Sequence, residues 1–220
     1  MPHPADNTEP SRNCPACARL VAFREKNRST EPSWHNAPVT SFGAQDARLL
    51  IVGLAPGLKG ANRTGRPFTG DFAGELLYGT LIEFGFARGS YRADPTDGLA
   101  LVGCRITNAV RCVPPQNKPA PAEIGNCRGF LAATIHAMPN LAAILVLGRI
   151  AHDSTLVALG CKKSGFPFAH AGRYAPRPGL TLFASYHCSR YNTQTGRLTP
   201  GMFRAVLADI RSSLDADPHP

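Results

Sequence analysis

Four of the seven cysteines stand in two pairs whose spacing is typical of a metal centre. Two residues separate Cys14 from Cys17 near the N-terminus, and fourteen separate Cys112 from Cys127 in mid-chain. Four thiolates can hold a tetrahedral zinc ion or an iron–sulfur cluster, and the spacing alone leaves both open. To bring the two pairs together, the N-terminal arm must fold back onto the middle of the chain.

A glycine-rich segment, residues 53–71, has the composition of a ligand-binding loop. Its glycines let backbone N–H groups converge on an anion and let a ligand approach the main chain closely. The segment lacks the Gly-Lys-Ser/Thr of a phosphate-binding loop and the Gly-x-Gly-x-x-Gly of a dinucleotide fold, which disfavours both of those sites. The alternatives are a plain connection without a ligand and, for Asp71, a cap for the helix that follows.

Two further polar segments follow apolar runs. Asn108 ends one run close to Cys112, and its amide can both donate and accept, as the reading of a base edge requires; it is equally typical of a strand-end cap. His187 opens residues 185–199, which contain no acidic side chain. Such a segment can donate hydrogen bonds to phosphates without repelling them. A lone histidine at a strand end is often structural, but these neighbours favour function.

Charge and composition narrow the class of partner. The net charge is +9, because 24 Lys and Arg residues outnumber 15 Asp and Glu residues. This balance favours an anionic partner, nucleic acid above all, although a basic surface without a ligand would show it too. A polar N-terminus and the lack of a long apolar run predict a cytoplasmic protein that does not enter a membrane. We expect a monomer with one domain, 1–220, and loose termini at 1–13 and 214–220.

The apolar pattern predicts an α/β fold. Short apolar runs typical of buried parallel strands cover residues 49–54, 101–109, 142–147 and 180–186. Helical spacing predicts helices over 76–84, 121–136, 149–159 and from 200 onward, the last capped by Thr199. This alternation predicts a three-layer α/β/α sandwich with a central, mostly parallel four-stranded sheet. Ligands bind such sheets at the carboxyl ends of the strands, where the three polar segments begin.

Two long motifs resemble those of family 5 (type B) uracil-DNA glycosylases. The first is Gly-Leu-Ala-Pro-Gly with Asn-Arg-Thr-Gly-Arg-Pro-Phe-Thr-Gly-Asp, and the second is Ser-Tyr-His with Asn-Thr-Gln-Thr-Gly-Arg-Leu-Thr. The resemblance runs from about Cys14 to the final helix. It implies that the four cysteines hold a [4Fe–4S] cluster, expected to be a structural staple. It also implies a monofunctional enzyme of base excision repair whose partner is DNA containing uracil, hypoxanthine, xanthine or other deaminated bases.

The resemblance also implies roles for particular residues. Phe68 would stack on a base extruded from DNA, and Asn108 would hydrogen-bond its edge. His187 would donate to the base oxygen as negative charge develops there, and Asp71 would orient water or offset positive charge on the sugar. The resemblance further implies base contacts from Gly53, Ala55 and Gly57, and DNA contacts from Asn62, Arg63, Arg66, Ser189, Arg190, Asn192, Gln194, Thr195 and Arg197.

The sequence departs from related glycosylases at two positions. Leu54 stands where other families have an acid or amide, and family 5 lacks that polar residue too. Without it, stabilisation of the leaving base must account for more of the lowering of the activation barrier. Cys188 follows the histidine where many glycosylases have proline, which reduces the expected stiffness of that loop. Two alternatives remain: a nucleic-acid-binding module without catalysis and a zinc-stabilised nucleotide hydrolase.

Overall fold

A computed structural model describes residues 8–216 of the chain. Its main sheet has five strands in the order β4-β1-β5-β7-β6, and a separate hairpin-like pair joins β2 to β3. The first four strands of that order are mutually parallel, and β6 pairs antiparallel with β7. The strands are β1 (Leu49–Gly53), β2 (Ala87–Arg88), β3 (Ala100–Leu101), β4 (Cys104–Asn108), β5 (Ala143–Leu147), β6 (Gly172–Arg177) and β7 (Leu180–Ser185).

Helices cover both faces of this sheet, which gives the three-layer α/β/α sandwich that the sequence predicts. The helices are α1 (Ala18–Thr30), α2 (Ala61–Thr64), α3 (Phe72–Glu83), α4 (Pro121–His136), α5 (Arg149–Ala158), α6 (Arg190–Gln194) and α7 (Pro200–Ala216). Alternate residues of β1 point to opposite faces, so Leu49 and Ile51 join a core with α3 and α7, while Leu50 and Val52 join a core with α4 and α5. No helix within residues 8–216 is both long and apolar enough to cross a membrane.

The prediction of four strands is wrong by one, because β6 adds an antiparallel edge. Its residues alternate between half-buried and exposed, and Pro176 lies within it. Proline cannot donate to a ladder and is confined to edge strands, so this segment lacks the continuous apolar run of a central strand. The predicted strand 101–109 is also divided. Gly103 has φ +58° and separates β3 from β4.

The helix boundaries follow their capping residues. The Asp71 side chain accepts from the Gly74 N–H at the start of α3, and the Thr199 hydroxyl accepts from the Met202 N–H at the start of α7. Pro121 opens α4, where a missing N–H costs nothing. These residues fix where α3 and α7 leave the sheet edge that carries the polar loops.

Part of the expectation of loose termini is wrong. Residues 1–7 and 217–220 lie outside the described residues, but the inner parts of both predicted segments pack on the domain. The Glu9 carboxylate accepts from Nη1 of Arg111 at 2.7 Å. Leu214 is buried in the last turns of α7. A buried guanidinium that needs a counter-charge therefore fixes one terminus, and apolar burial fixes the other.

Candidate active site

A cavity of about 620 Å³ lies at the carboxyl ends of the central strands. The loop after β1 supplies one wall, Asn108 at the end of β4 supplies a second, and the loop after β7 supplies a third. Parallel strands end at the same edge of a sheet, so three segments distant in sequence meet here. The lining includes Ala55, Gly57, Phe68, Asp71, Asn108 and His187.

Phe68 and Asn108 form a tightly fitted part of this cavity. Phe68 is buried with φ +52°, a conformation that its surroundings must stabilise. Asn108 is also buried, and its Oδ1 has no hydrogen-bond partner. A Cβ atom at Gly53 would lie 2.6 Å from Phe68 Cζ and would overlap Asn108 Oδ1. Only glycine at this position therefore leaves the ring and the unpartnered acceptor where they are.

Asp71 combines a structural contact with a position on the cavity wall. One carboxylate oxygen caps α3 through the Gly74 N–H at 3.3 Å, so the capping alternative is confirmed. The other lies so close to Gly57 and Gly60 that a Cβ at Gly57 would approach it to 2.9 Å and one at Gly60 would overlap it. Burial raises the pKa of Asp71 above its ordinary value. The cap therefore orients a partly desolvated carboxylate within the cavity.

His187 is held by the loop that it opens. The Asn192 amide donates to the His187 carbonyl oxygen at 2.8 Å, and the Ser189 hydroxyl caps α6 by accepting from the Asn192 N–H. The imidazole ring faces both the main cavity and a neighbouring one of about 360 Å³. The surrounding protein lowers the pKa of His187 to about 4 by desolvating its charged form. The ring is therefore neutral at physiological pH and can donate one N–H.

The four cysteines of the sequence motif line a single, separate cavity. The Arg111 N–H lies 3.3 Å from Cys127 Sγ, and the Asn126 amide lies 3.6 Å from Cys17 Sγ. Burial raises the pKa of the Cys112 thiol to about 12, so a bound cation is needed to hold it as a thiolate. These contacts fit a group that binds through sulfur.

Across residues 8–216, no group of three or more His, Cys, Asp or Glu side chains is arranged to hold one metal ion. The donor set of four thiolates is one that both a tetrahedral zinc ion and an iron–sulfur cluster use.

A model of the uracil DNA glycosylase superfamily matches residues 40–211. The chain belongs to this superfamily. A type-5 uracil-DNA glycosylase of Thermus thermophilus is 46% identical over 204 residues, which cover 90% of this chain and 92% of the relative. A type-5 uracil-DNA glycosylase of Pyrobaculum aerophilum is 36% identical over 208 residues, 93% of this chain and 89% of the relative.

Similarity to type-4 proteins of the superfamily is more restricted. A type-4 uracil-DNA glycosylase of Archaeoglobus fulgidus is 34% identical over 120 residues, 51% of this chain and 49% of the relative. These two type-5 relatives match 90% and 93% of this chain. The resemblance to family 5 seen in the two motifs is thereby confirmed.

Several of the side chains predicted to contact DNA are exposed around the cavity. Arg190 lines the cavity, with its guanidinium 5.3 Å from the centre of the Phe72 ring. Arg197 lines the neighbouring cavity, 4.6 Å from the centre of the Tyr186 ring. The aromatic rings hold these cations near the rim. Arg63, Gln194 and Thr195 are also exposed, whereas Ser189 and Asn192 mainly order α6.

Two residues that the resemblance places on DNA have buried side chains in the structure. Asn62 is 1% exposed and donates to Asn36 Oδ1 at 2.9 Å. Arg66 is 6% exposed and binds both oxygens of Asp97 at 2.8 Å. These polar groups turn inward and hold the loop after β1 in shape.

Two residues that line the cavity, and a third that follows the lining residues in sequence, were not predicted from the sequence. Lys59 and Asn117 line it, and Asn117 lies in a turn with φ +57° beside Gln116 at +56°. Tyr191, 71% exposed, lies on α6 two residues beyond the Ser189 of the cavity lining. An aromatic within a run of polar residues was a usable signal for Tyr191. The turn at Asn117 depends on tertiary packing, and no local pattern indicates that it reaches the cavity.

Proposed function

We propose that this chain is a uracil-DNA glycosylase of base excision repair, which extrudes uracil from DNA and hydrolyses its N-glycosidic bond. The observation that carries the proposal is the cavity in which Phe68, Asn108, Asp71 and His187 meet. A flipped base requires a stacking ring, a partner for its edge and a donor for its oxygen in one pocket. The names of the type-5 relatives support the same activity.

Base recognition rests on Phe68 and Asn108. The Phe68 ring offers a stacking surface for the extruded base. The unpartnered Asn108 Oδ1 accepts the N–H of uracil, which satisfies a buried oxygen that otherwise lacks a partner. The cavity, at about 620 Å³, also has room for a purine, so we propose activity on hypoxanthine and xanthine as well.

Bond cleavage leaves negative charge on the departing base and positive charge on the sugar. Neutral His187 donates an N–H to the base oxygen as that charge grows, and no proton need be lost first because its pKa is about 4. Single donors of this kind contribute about 10²–10³ in rate. Leu54 on the cavity wall supplies no acid, so leaving-group stabilisation carries a large share of the barrier.

Asp71 acts on the sugar side of the reaction. Its capping contact fixes the carboxylate while its second oxygen remains near the glycines of the first motif. From there it orients the attacking water or offsets the oxocarbenium charge. A carboxylate with a raised pKa is also a better proton acceptor than an ordinary one, which suits the activation of water.

We propose a monofunctional reaction, without a strand nick, although Lys59 lies on the cavity rim. A lysine that attacks a sugar aldehyde needs a desolvated amine. Lys59 is exposed, and its ammonium group suits a DNA phosphate instead. Borohydride reduction during turnover tests this: no covalent protein–DNA adduct is expected. An adduct that disappears in Lys59→Met would show lyase chemistry and contradict the monofunctional reaction.

We further propose that Cys14, Cys17, Cys112 and Cys127 hold a [4Fe–4S] cluster as a structural staple. When bound, the cluster would tie the N-terminal arm to Cys112 after β4 and to Cys127 on α4, and it would supply no step of the hydrolysis. The support is the shared cavity of the four cysteines and the N–H donors around their sulfurs. Absorbance near 400 nm with iron and sulfide analysis tests it against zinc.

The decisive experiment is release of free base from defined duplexes that contain uracil, hypoxanthine or xanthine. We expect the uracil duplex to be processed and both Asp71→Ala and His187→Ala to slow turnover while leaving DNA affinity largely intact. A non-catalytic DNA-binding module would retain DNA without releasing base. Gel filtration and cell fractionation test the accompanying proposals of a monomer and of a cytoplasmic location.

A further inference from the structure

Arg24 is a buried cation on the wall of the four-cysteine cavity. It belongs to α1, the helix that begins directly after Cys17, and it is 3% exposed. Both terminal nitrogens of its guanidinium donate to the Cys14 carbonyl oxygen at 3.2 Å. Nη1 also lies 4.0 Å from Cys112 Sγ. The side chain thus touches segments that carry both cysteine pairs.

The charge of Arg24 is poorly compensated by the protein itself. A guanidinium remains charged, and burying an unpaired charge costs several kcal/mol. The nearest carboxylate oxygen, on Glu25, lies 3.6 Å from Nε. Glu25 is itself exposed, and it is engaged by Arg28 at 2.9 Å. Nε of Arg24 is buried without a hydrogen bond.

Arg111, the other arginine on this wall, has a close counter-charge within the protein. It is fully buried, but the Glu9 carboxylate lies 2.7 Å from its Nη1. The Ser41 hydroxyl accepts from the same nitrogen and the Thr134 hydroxyl accepts from Nη2, while Nε has no hydrogen-bond partner, as in Arg24. Glu9 therefore compensates the charge of Arg111, whereas Arg24 lacks a close carboxylate and requires a negative charge inside the cavity.

We infer that Arg24 is the charge partner of an anionic centre held by the four cysteines, and that it stabilises that centre through Cys112. The inference rests on the proposed cofactor. The negative charge of four thiolates exceeds the positive charge of either a zinc ion or a cubane core, so the assembled centre is anionic. Positive charge and N–H donors beside the sulfurs raise a cluster's reduction potential. They also disfavour loss of the thiolate to solvent.

Three substitutions test this. Arg24→Met removes the charge and keeps the length, Arg24→Lys keeps the charge, and Lys26→Met is a control at an exposed position of α1. The holoproteins are compared for iron and sulfide content, for the rate of bleaching near 400 nm under chelator and air, and for midpoint potential. Arg24→Met should bleach about tenfold faster and shift to a lower potential. Arg24→Lys should recover most of both values, and Lys26→Met should match the wild type.

The outcomes separate the inference from the cofactor proposal. A wild-type protein without iron, sulfide or zinc would overturn both. A wild-type protein with a cluster, and an Arg24→Met variant with the same bleaching rate and potential, would overturn the inference alone. If Arg24→Met does not fold, Arg24→Gln takes its place. Loss of the cluster in Arg24→Gln with recovery in Arg24→Lys supports a requirement for charge; equal loss in both assigns Arg24 to packing and overturns it.

Discussion

The rings of Phe68 and His187 lie nearly parallel, with their centroids 5.8 Å apart and their planes inclined by 26°. One ring comes from the loop after β1 and the other from the loop after β7, so two strand ends set the relation between base stacking and hydrogen-bond donation. A base that stacks on Phe68 comes close to the imidazole. Base binding and leaving-group stabilisation are therefore coupled, because both depend on the same position of the base between these residues.

His187→Ala should slow base release in single turnovers by about 10²–10³, because it removes the donor to the departing base. Affinity for the same duplex should change less than threefold, since phosphate contacts dominate binding. His136→Ala, an exposed position at the end of α4, is the control and should behave as the wild type. A tenfold loss of affinity with an unchanged chemical step would instead assign His187 to DNA binding.

The pH dependence follows from the lowered pKa of His187, about 4. Titration of His187 should therefore not change the single-turnover rate between pH 5.5 and pH 8, a range that lies about 1.5 to 4 pH units above this pKa. The unfolded chain binds a proton at its ordinary pKa of about 6.5, whereas the folded chain does not. The contribution of His187 to stability is thus complete above about pH 6.5 and is lost as the pH falls toward 4. Chemical unfolding of His187→Ala should show a shallower acid dependence; an identical slope would contradict the shift.

Gly53→Ala should abolish base binding while leaving the fold nearly intact. The added methyl group overlaps Asn108 Oδ1 and would lie 2.6 Å from Phe68 Cζ, so both side chains must move. We expect kcat/KM to fall by at least about 10², the scale of a displaced site residue. Gly125→Ala is a matched control in α4, where a Cβ meets nothing within 4 Å, and it should stabilise the helix slightly. Full activity in Gly53→Ala would exclude the proposed position of the base.

Arg66→Met should destabilise the fold rather than weaken DNA binding at the surface. It leaves Asp97 as a buried carboxylate without its bidentate partner, at a cost of about 3–5 kcal/mol. Arg88→Met, at an exposed position in β2, should leave the unfolding free energy unchanged. The measurement is urea unfolding, with salt-dependent DNA affinity alongside. A stable variant with a reduced salt slope would restore Arg66 to the DNA contacts.

Tyr191→Ala should impair uracil release from duplex DNA more than from single strands. Tyr191 is 71% exposed and directly follows Arg190, which lines the cavity, and an exposed ring at this position can enter the base stack and replace the extruded base. We expect a loss of about tenfold on duplex and less than threefold on single strands, because unstacking costs a few kcal/mol only in the duplex. Tyr191→Phe should retain activity. Equal losses on both substrates would point to loop stability instead.

The buried parallel strands and most of the longer helices could be predicted from the sequence. The strands appear as short continuous apolar runs, and the helices as apolar residues at helical spacing. The α1 helix was not predicted. Its buried face carries Leu20, Arg24 and Asn27, so polar residues occupy the positions where an apolar stripe would reveal a helix. The β6 edge strand was missed for a related reason, since half of its residues are exposed.

Only part of the candidate site could be predicted from the sequence. Strand-end residues such as Asn108 and His187 could be predicted to lie close together, because the fold class alone brings strand ends together. Whether a polar side chain points outward or inward could not be predicted. Asn62 and Arg66 lie in the same short motif as the exposed Arg63, and their partners, Asn36 and Asp97, are 26 and 31 residues away. Those pairings belong to tertiary structure and leave no local trace.

The separation of the two cysteine pairs has a consequence for synthesis. Cys17 leaves the ribosome well before Cys127, which follows 110 residues later. At about 5–20 residues per second, the first pair waits roughly 5–20 s for the second. During that interval α1 has no cavity to close, and the charge of Arg24 remains in water. The N-terminal arm is thus made first and waits for its partners in the middle of the chain.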